Sequence, residues 1–232
     1  MRTRYSELLR YVGAPIRYIH VGKTGGTAVK SVLSQISRRT LRYQFLSSGH
    51  EFKFANLGER ERYFFSLREP LSRFRAGFYS RLRKGQPRLY NEWSSDEEAA
   101  FQRFPHANDL GEALSSRDPL IKRAAVRAMN SIRHVSEPLI DFFPDFEEVL
   151  RHPPIIILRQ EYLYSDLKML LRRLRLDHLL PEAIDPTAKH ANDYRSTPGL
   201  SELAVRNLRE HYARDIHLYS RLDALASELR GQ

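Results

Sequence analysis

The chain of 232 residues has no cysteine. Disulfides, thiolate metal sites and a cysteine nucleophile are therefore excluded, while the redox compartment stays open. It also has no apolar run of signal-peptide or membrane-span length, and Met1 to Ala14 is short, mixed and charged. A soluble, untargeted protein with a cytoplasmic location is the expectation. There is no internal repeat, low-complexity tract or Gly/Ser linker. Acidic residues are in deficit, 28 Asp+Glu against 38 Lys+Arg, for a formal charge of +10. That surplus favours anionic partners such as nucleotides, phosphates and acidic glycans, and it equally suits a merely solubilising arginine surface. Apolar material is not lacking: 41% of residues are hydrophobic and 11% aromatic, enough for a packed core.

Several motifs are missing as well. His50-Glu51 would open a zinc-protease H-E-x-x-H only if histidine stood where Phe54 does. His211 and His217 lack the i, i+4 spacing of helical metal ligands. No G-x-S-x-G supports a serine hydrolase, and no G-x-G-x-x-G follows a strand to support a dinucleotide-binding oxidoreductase.

Apolar periodicity divides the chain into alternating strands and helices. Arg17 to Val21, Tyr43 to Leu46, Tyr63 to Leu67 and Ile155 to Leu158 read as strands. The last is continuous and β-branched, as strands buried on both faces are. Helical stripes follow: Val29, Val32, Leu33 and Ile36; Leu71, Phe74, Phe78 and Leu82, with Arg73 and Arg81 off that face; Ile121, Ala125, Ala128 and Ile132; Leu163, Leu167, Leu170, Leu171 and Leu174. A last helix carries Leu208, Tyr212, Ile216 and Tyr219. The expected fold is α/β, three-layered, a parallel sheet flanked by helices, in one domain over residues 1–232 with a helical insertion at 86–154.

Between the first strand and the first helix lies His20-Val21-Gly22-Lys23-Thr24-Gly25-Gly26-Thr27. Adjacent glycines let the backbone turn tightly and bring its N–H groups close to an anion, and the helix N-terminus adds unpaired donors. Thr24 and Thr27 add hydroxyls and Lys23 a full charge. The nucleoside-triphosphate P-loop has its lysine after the last glycine, whereas Lys23 precedes the pair.

HVGKTGGTAV resembles the 5'-phosphosulfate loop of the sulfotransferases that use 3'-phosphoadenosine-5'-phosphosulfate (PAPS), closest to their carbohydrate-type branch. Leu67-Arg68-Glu69-Pro70-Leu71-Ser72-Arg73 resembles that family's 3'-phosphate motif, Arg-x-Pro-x-x-Arg-x-x-Ser, matched at Arg68, Pro70 and Arg73. Ala76 stands where the usual serine would be, with Ser72 or Ser80 as possible substitutes. Arginine suits a terminal phosphate because its planar fork makes two parallel charge-assisted bonds. Arg159-Gln160-Glu161 and the closing Tyr212, Asp215 and Tyr219 also resemble segments of the family, and Lys189, His190, Asn192 and Arg195 are candidates to close over a nucleotide.

The resemblance implies a P-loop-like sulfotransferase fold. It implies PAPS as co-substrate, 3'-phosphoadenosine-5'-phosphate as product and no metal, with Lys23, Thr24, Gly25, Gly26, Thr27, Arg68, Ser72 and Arg73 holding the donor. The acceptor it implies is a hydroxyl, a glycan or glycolipid first, with a small molecule or a peptide tyrosine left open, and without nucleic acid. Sulfuryl transfer needs a cation on the leaving oxygen and a base for the acceptor proton. Lys23 is the cation. His50, just beyond the second strand, is the base, with Glu51 in reserve, and His20 orients or packs. Tyr90, Trp93, Phe101, Arg103, Phe104 and His106 are read either as an acceptor wall or as core and rim. The rival readings are a P-loop-type kinase and a non-enzymatic polyanion-binding module.

Overall fold

A computed structural model describes residues 13–87, 89–181 and 197–231. Four strands, β1 (Ala14–Ile19), β2 (Tyr43–Ser47), β3 (Arg62–Leu67) and β4 (Ile157–Arg159), form an all-parallel sheet in the order β2-β1-β3-β4. Parallel neighbours need long crossovers, which helices supply. The helices among the described residues are α1 (Gly26–Ser37), α2 (Pro70–Leu82), α3 (Ser95–Arg103), α4 (Ala107–Ala113), α5 (Pro119–Ser131), α6 (Phe146–Arg151), α7 (Leu163–Arg173), α8 (Glu202–His211) and α9 (Ala213–Gly231). None is long and apolar enough to cross a membrane.

The chain forms two compact units. Of the described residues, the first takes 13–67, 142–181 and 220–231, and the second takes 68–141 and 197–219. In the first, Ile16 and Tyr18 of β1, Phe64 of β3 and Leu158 of β4 pack with Val29, Val32, Leu33 and Ile36 of α1 and Leu167, Leu170 and Leu171 of α7. Alternation sends Tyr63 and Phe65 to the other face, where Phe54 and Phe143 meet them, Phe65 and Phe143 with centroids 4.2 Å apart. β1 lies between β2 and β3, so the chain reverses its direction of travel across the sheet there. The carboxyl edge of strands at such a point is where open α/β sheets bind ligands.

The second unit is helical. Phe74, Phe78, Phe101, Phe104, Leu110, Met129, Leu208 and Tyr212 share its core. Phe101 and Phe104 are thus core residues, not an acceptor wall. The unit begins at Arg68 and takes in α8, so it is not an insertion over 86–154. α8 joins because Asn207 Nδ2 donates to the Gly111 carbonyl at 2.9 Å and to that of Glu112 at 3.2 Å.

β4 starts two residues later than the apolar run, although the Ile155 N–H still donates to the Tyr63 carbonyl at 2.8 Å. The C-terminal pattern is two helices, α8 ending as Tyr212 turns its hydroxyl onto the Val135 carbonyl at 2.9 Å. Arg73 and Arg81 are only 5% and 4% exposed.

Candidate functional site

The loop after β1 takes its shape from two residues in the left-handed region, Lys23 (φ 66°) and Gly25 (φ 88°), with Thr24 between them. Such alternation makes concave backbone that presents N–H groups to an anion. For a lysine it costs about 1–3 kcal/mol, a strain that folds retain chiefly at functional positions. Gly25 also lies against Leu163 and Gln160: a Cβ there would come within 2.9 Å of Leu163 Cδ2. Gln160, of the Arg159-Gln160-Glu161 patch, and Leu163 therefore back the loop. α1 starts at Gly26 with no side-chain cap and no acidic residue in its first turn, so its positive end is left to the loop. These features fit an anionic group.

Thr24 departs from the expected hydroxyl donor. Its side chain is 0% exposed, and Oγ1 donates to the Val21 carbonyl at 2.7 Å. Oγ1 also lies 2.6 Å from Ser66 Oγ, which lies 2.7 Å from the Tyr18 hydroxyl. Each hydroxyl has one proton. Because Thr24 spends its own on the carbonyl, Ser66 must donate to Thr24 and Tyr18 to Ser66. Burial pushes the Tyr18 phenol well above its usual pKa and keeps it a donor. The Thr24 hydroxyl thus holds the loop from beneath, and only its backbone can serve an anion. Lys23 and Thr27 are half-buried.

His50, on the segment after β2, is brought to the same loop. Its Nδ1 lies 3.1 Å from the His20 carbonyl oxygen. A carbonyl only accepts, so Nδ1 carries a proton, and in the neutral tautomer this leaves, the lone pair is on Nε2. The His20 ring sits 4.4 Å from that of His50 and 5.6 Å from that of Tyr18. It also covers Gly26, where a Cβ would meet His20 Nε2 at 1.9 Å. The carrier segment is tied down by Arg17 Nη1 to Ser48 Oγ (3.2 Å) and Lys30 Nζ to the Ser48 carbonyl (3.5 Å), while Arg17 pairs with Glu61 at 2.7 Å. Glu51 is exposed and turns back to accept from the Gly49 N–H at 3.1 Å.

In the second unit Arg68 is half-buried, with Nε donating to Ser72 Oγ at 2.9 Å. Glu69 caps α2, accepting from the N–H groups of Leu71 (3.0 Å) and Ser72 (2.7 Å), with Pro70 at the first helical position. Arg73 does not fit the phosphate role expected of it. Its Nη2 donates to the Glu137 carbonyl at 2.6 Å, and Nη1 lies 3.9 Å from Asp215 Oδ2. Asp215 in turn accepts from the N–H groups of Leu139 (2.6 Å) and Ile140 (3.1 Å). Arg73 is a buried structural cation. Ala76, in the place of the usual serine, is 2% exposed and inside the unit.

Sequence reading missed Tyr18 and Ser66. Their signal was present: a serine interrupting Tyr63-Phe64-Phe65-Ser66-Leu67, and a tyrosine one strand period before His20. Lys189, His190, Asn192 and Arg195 lie outside the described residues. Among those described, no group of three or more His, Asp or Glu could hold a metal ion. Compared with known proteins, the chain matches no family model, no curated protein and no solved structure.

Proposed function

We propose that the protein is a sulfotransferase of P-loop-like fold that moves a sulfuryl group from PAPS to a hydroxyl acceptor, a carbohydrate by likeness. The observation that carries this reading is the meeting of an anion-shaped loop with a histidine whose Nε2 is the basic nitrogen. The donor supplies an activated sulfuryl group. Lys23, with loop amides and the α1 N-terminus, stabilises negative charge on the departing 5'-phosphate. His50 Nε2 takes the acceptor hydroxyl proton as that oxygen attacks sulfur. Arg68, oriented through Ser72, is assigned to the 3'-phosphate. Arg73 is withdrawn from that role, its guanidinium being held by Glu137 and Asp215.

Calorimetric titration with adenosine 3',5'-bisphosphate, without metal and with ATP–Mg as control, tests the reading. Binding is expected, weakened about 10- to 100-fold in Arg68→Ala, the range for a lost charge-assisted pair. His50→Ala should leave that affinity unchanged and lower turnover about 10²- to 10⁴-fold once an acceptor is found. Failure of the bisphosphate to bind while ATP–Mg binds would replace the sulfotransferase with a kinase.

A further inference from the structure

Four rings run from the core of the first unit to the loop. Phe64 and Tyr18 are stacked with centroids 5.1 Å apart, Tyr18 and His20 are stacked at 5.6 Å, and His20 and His50 follow at 4.4 Å. Phe64 and Tyr18 are both 0% exposed. Tyr18 is at once a member of this stack and the head of the hydroxyl chain that ends on the Val21 carbonyl. Its ring backs the histidine whose carbonyl fixes the His50 tautomer, and its hydroxyl backs the threonine between the two left-handed residues of the loop.

We infer that Tyr18 is a positioning residue serving both halves of the site: through Ser66 and Thr24 it sets the anion loop, and through the His20 ring it sets His50. Neither task brings it to a reacting atom. The two tasks separate chemically, because the hydroxyl belongs to the relay and the ring to the stack. Tyr18→Phe cuts the first and keeps the second. His20→Leu interrupts the stack and leaves the relay whole.

The inference rests on the donor reading only for what the loop binds, so its test begins without ligand. In isotope-labelled protein, Tyr18→Phe and Ser66→Ala should shift the amide resonances of Gly22 to Gly26 and leave the ring resonances of His50 in place. His20→Leu should move the His50 ring resonances. Tyr18→Leu should move both sets. Should Tyr18→Leu fail to fold, the near-isosteric Tyr18→Phe and the outer His20→Leu still decide the matter. Adenosine 3',5'-bisphosphate is then titrated by calorimetry, where Tyr18→Phe should bind about five- to tenfold more weakly than wild type, the equivalent of one net hydrogen bond. Loop and His50 resonances unmoved by all four substitutions would overturn the inference whatever the bisphosphate does. Resonances that move as stated in a protein that never binds the bisphosphate would uphold the positioning role and overturn the donor reading instead.

Discussion

Ser66 has both of its hydrogen-bonding roles filled inside a strand whose other buried members are aromatic or aliphatic, and this makes its energetics asymmetric. Ser66→Ala strands the Tyr18 hydroxyl as a buried donor, which costs about 1–3 kcal/mol. Tyr18→Phe removes only one acceptor contact from Ser66 and should cost about 1 kcal/mol. The double variant no longer contains the stranded donor, so it should be more stable than Ser66→Ala alone. Urea denaturation of the four proteins reads this directly; additive losses would mean the Tyr18–Ser66 bond is not made. The same scale shows why sequence reading went astray at Thr24 and Arg73. Residue type and spacing identify which groups could bind phosphate, but not whether a buried partner has already claimed them. Thr24 is claimed by Val21, three residues away, whereas Arg73 is claimed by Asp215, which approaches only after the chain has returned through α8. Gly25 was legible because its demand is local, a positive φ at the mouth of a helix.

At the level of elements, the sheet and the helices α1, α2, α5 and α7 were legible because apolar periods of two and of about 3.6 residues are written locally. α2 follows its apolar stripe and carries its own start signal, Glu69 before Pro70. Hidden in it, besides Arg73, was a second buried arginine. Arg81 donates from Nε (2.7 Å) and Nη2 (2.6 Å) to the two oxygens of Glu97 on α3, and from Nη1 and Nη2 to the carbonyls of Asn91 and Glu92. One charged residue thereby holds α2, α3 and the segment between them. Burial works against the ionised Glu97, but Arg81 and the N–H groups of Ser94 and Arg133 outweigh it, leaving the carboxyl below its ordinary 4.5. A depressed folded pKa contributes stability that is present above the unfolded value and is lost as pH falls through the folded one. Glu97→Gln should therefore flatten the fall in stability below about pH 4.5. Arg81→Leu, which leaves the buried carboxylate without its counter-charge, should cost about 3–5 kcal/mol at neutral pH. Thermal unfolding at pH 7 and pH 4 for the two variants checks both; an unchanged acid slope in Glu97→Gln would mean that other carboxylates govern acid unfolding.

For the molecule as a whole, the discontinuity of its two units was the least legible property, because nothing in a periodic pattern says where a returning segment will dock. The first unit is completed only by the last stretch of the chain. Leu222 and Ala226 are 0% exposed, Arg173 Nη2 donates to the Leu229 carbonyl, and Arg230 lies 3.4 Å from Asp166. Asp166 also accepts from the Arg159 N–H at 2.8 Å, at the end of β4 and beside the segment that backs Gly25. The C-terminal half of α9 thus supports the sheet edge next to the anion loop without approaching it in sequence. Deleting residues 220–232 should remove the buried side chains of Leu222 and Ala226 and leave Asp166 a buried carboxylate with fewer partners, a loss of several kcal/mol by either route. Helical content contributed by α2 to α5 and α8 should outlast it, since those helices share a core within the second unit. The measurement is far-ultraviolet circular dichroism alongside bisphosphate binding. Retained helicity with lost binding is the expected outcome, and binding at wild-type affinity would show that the loop is held by β1 and β3 alone.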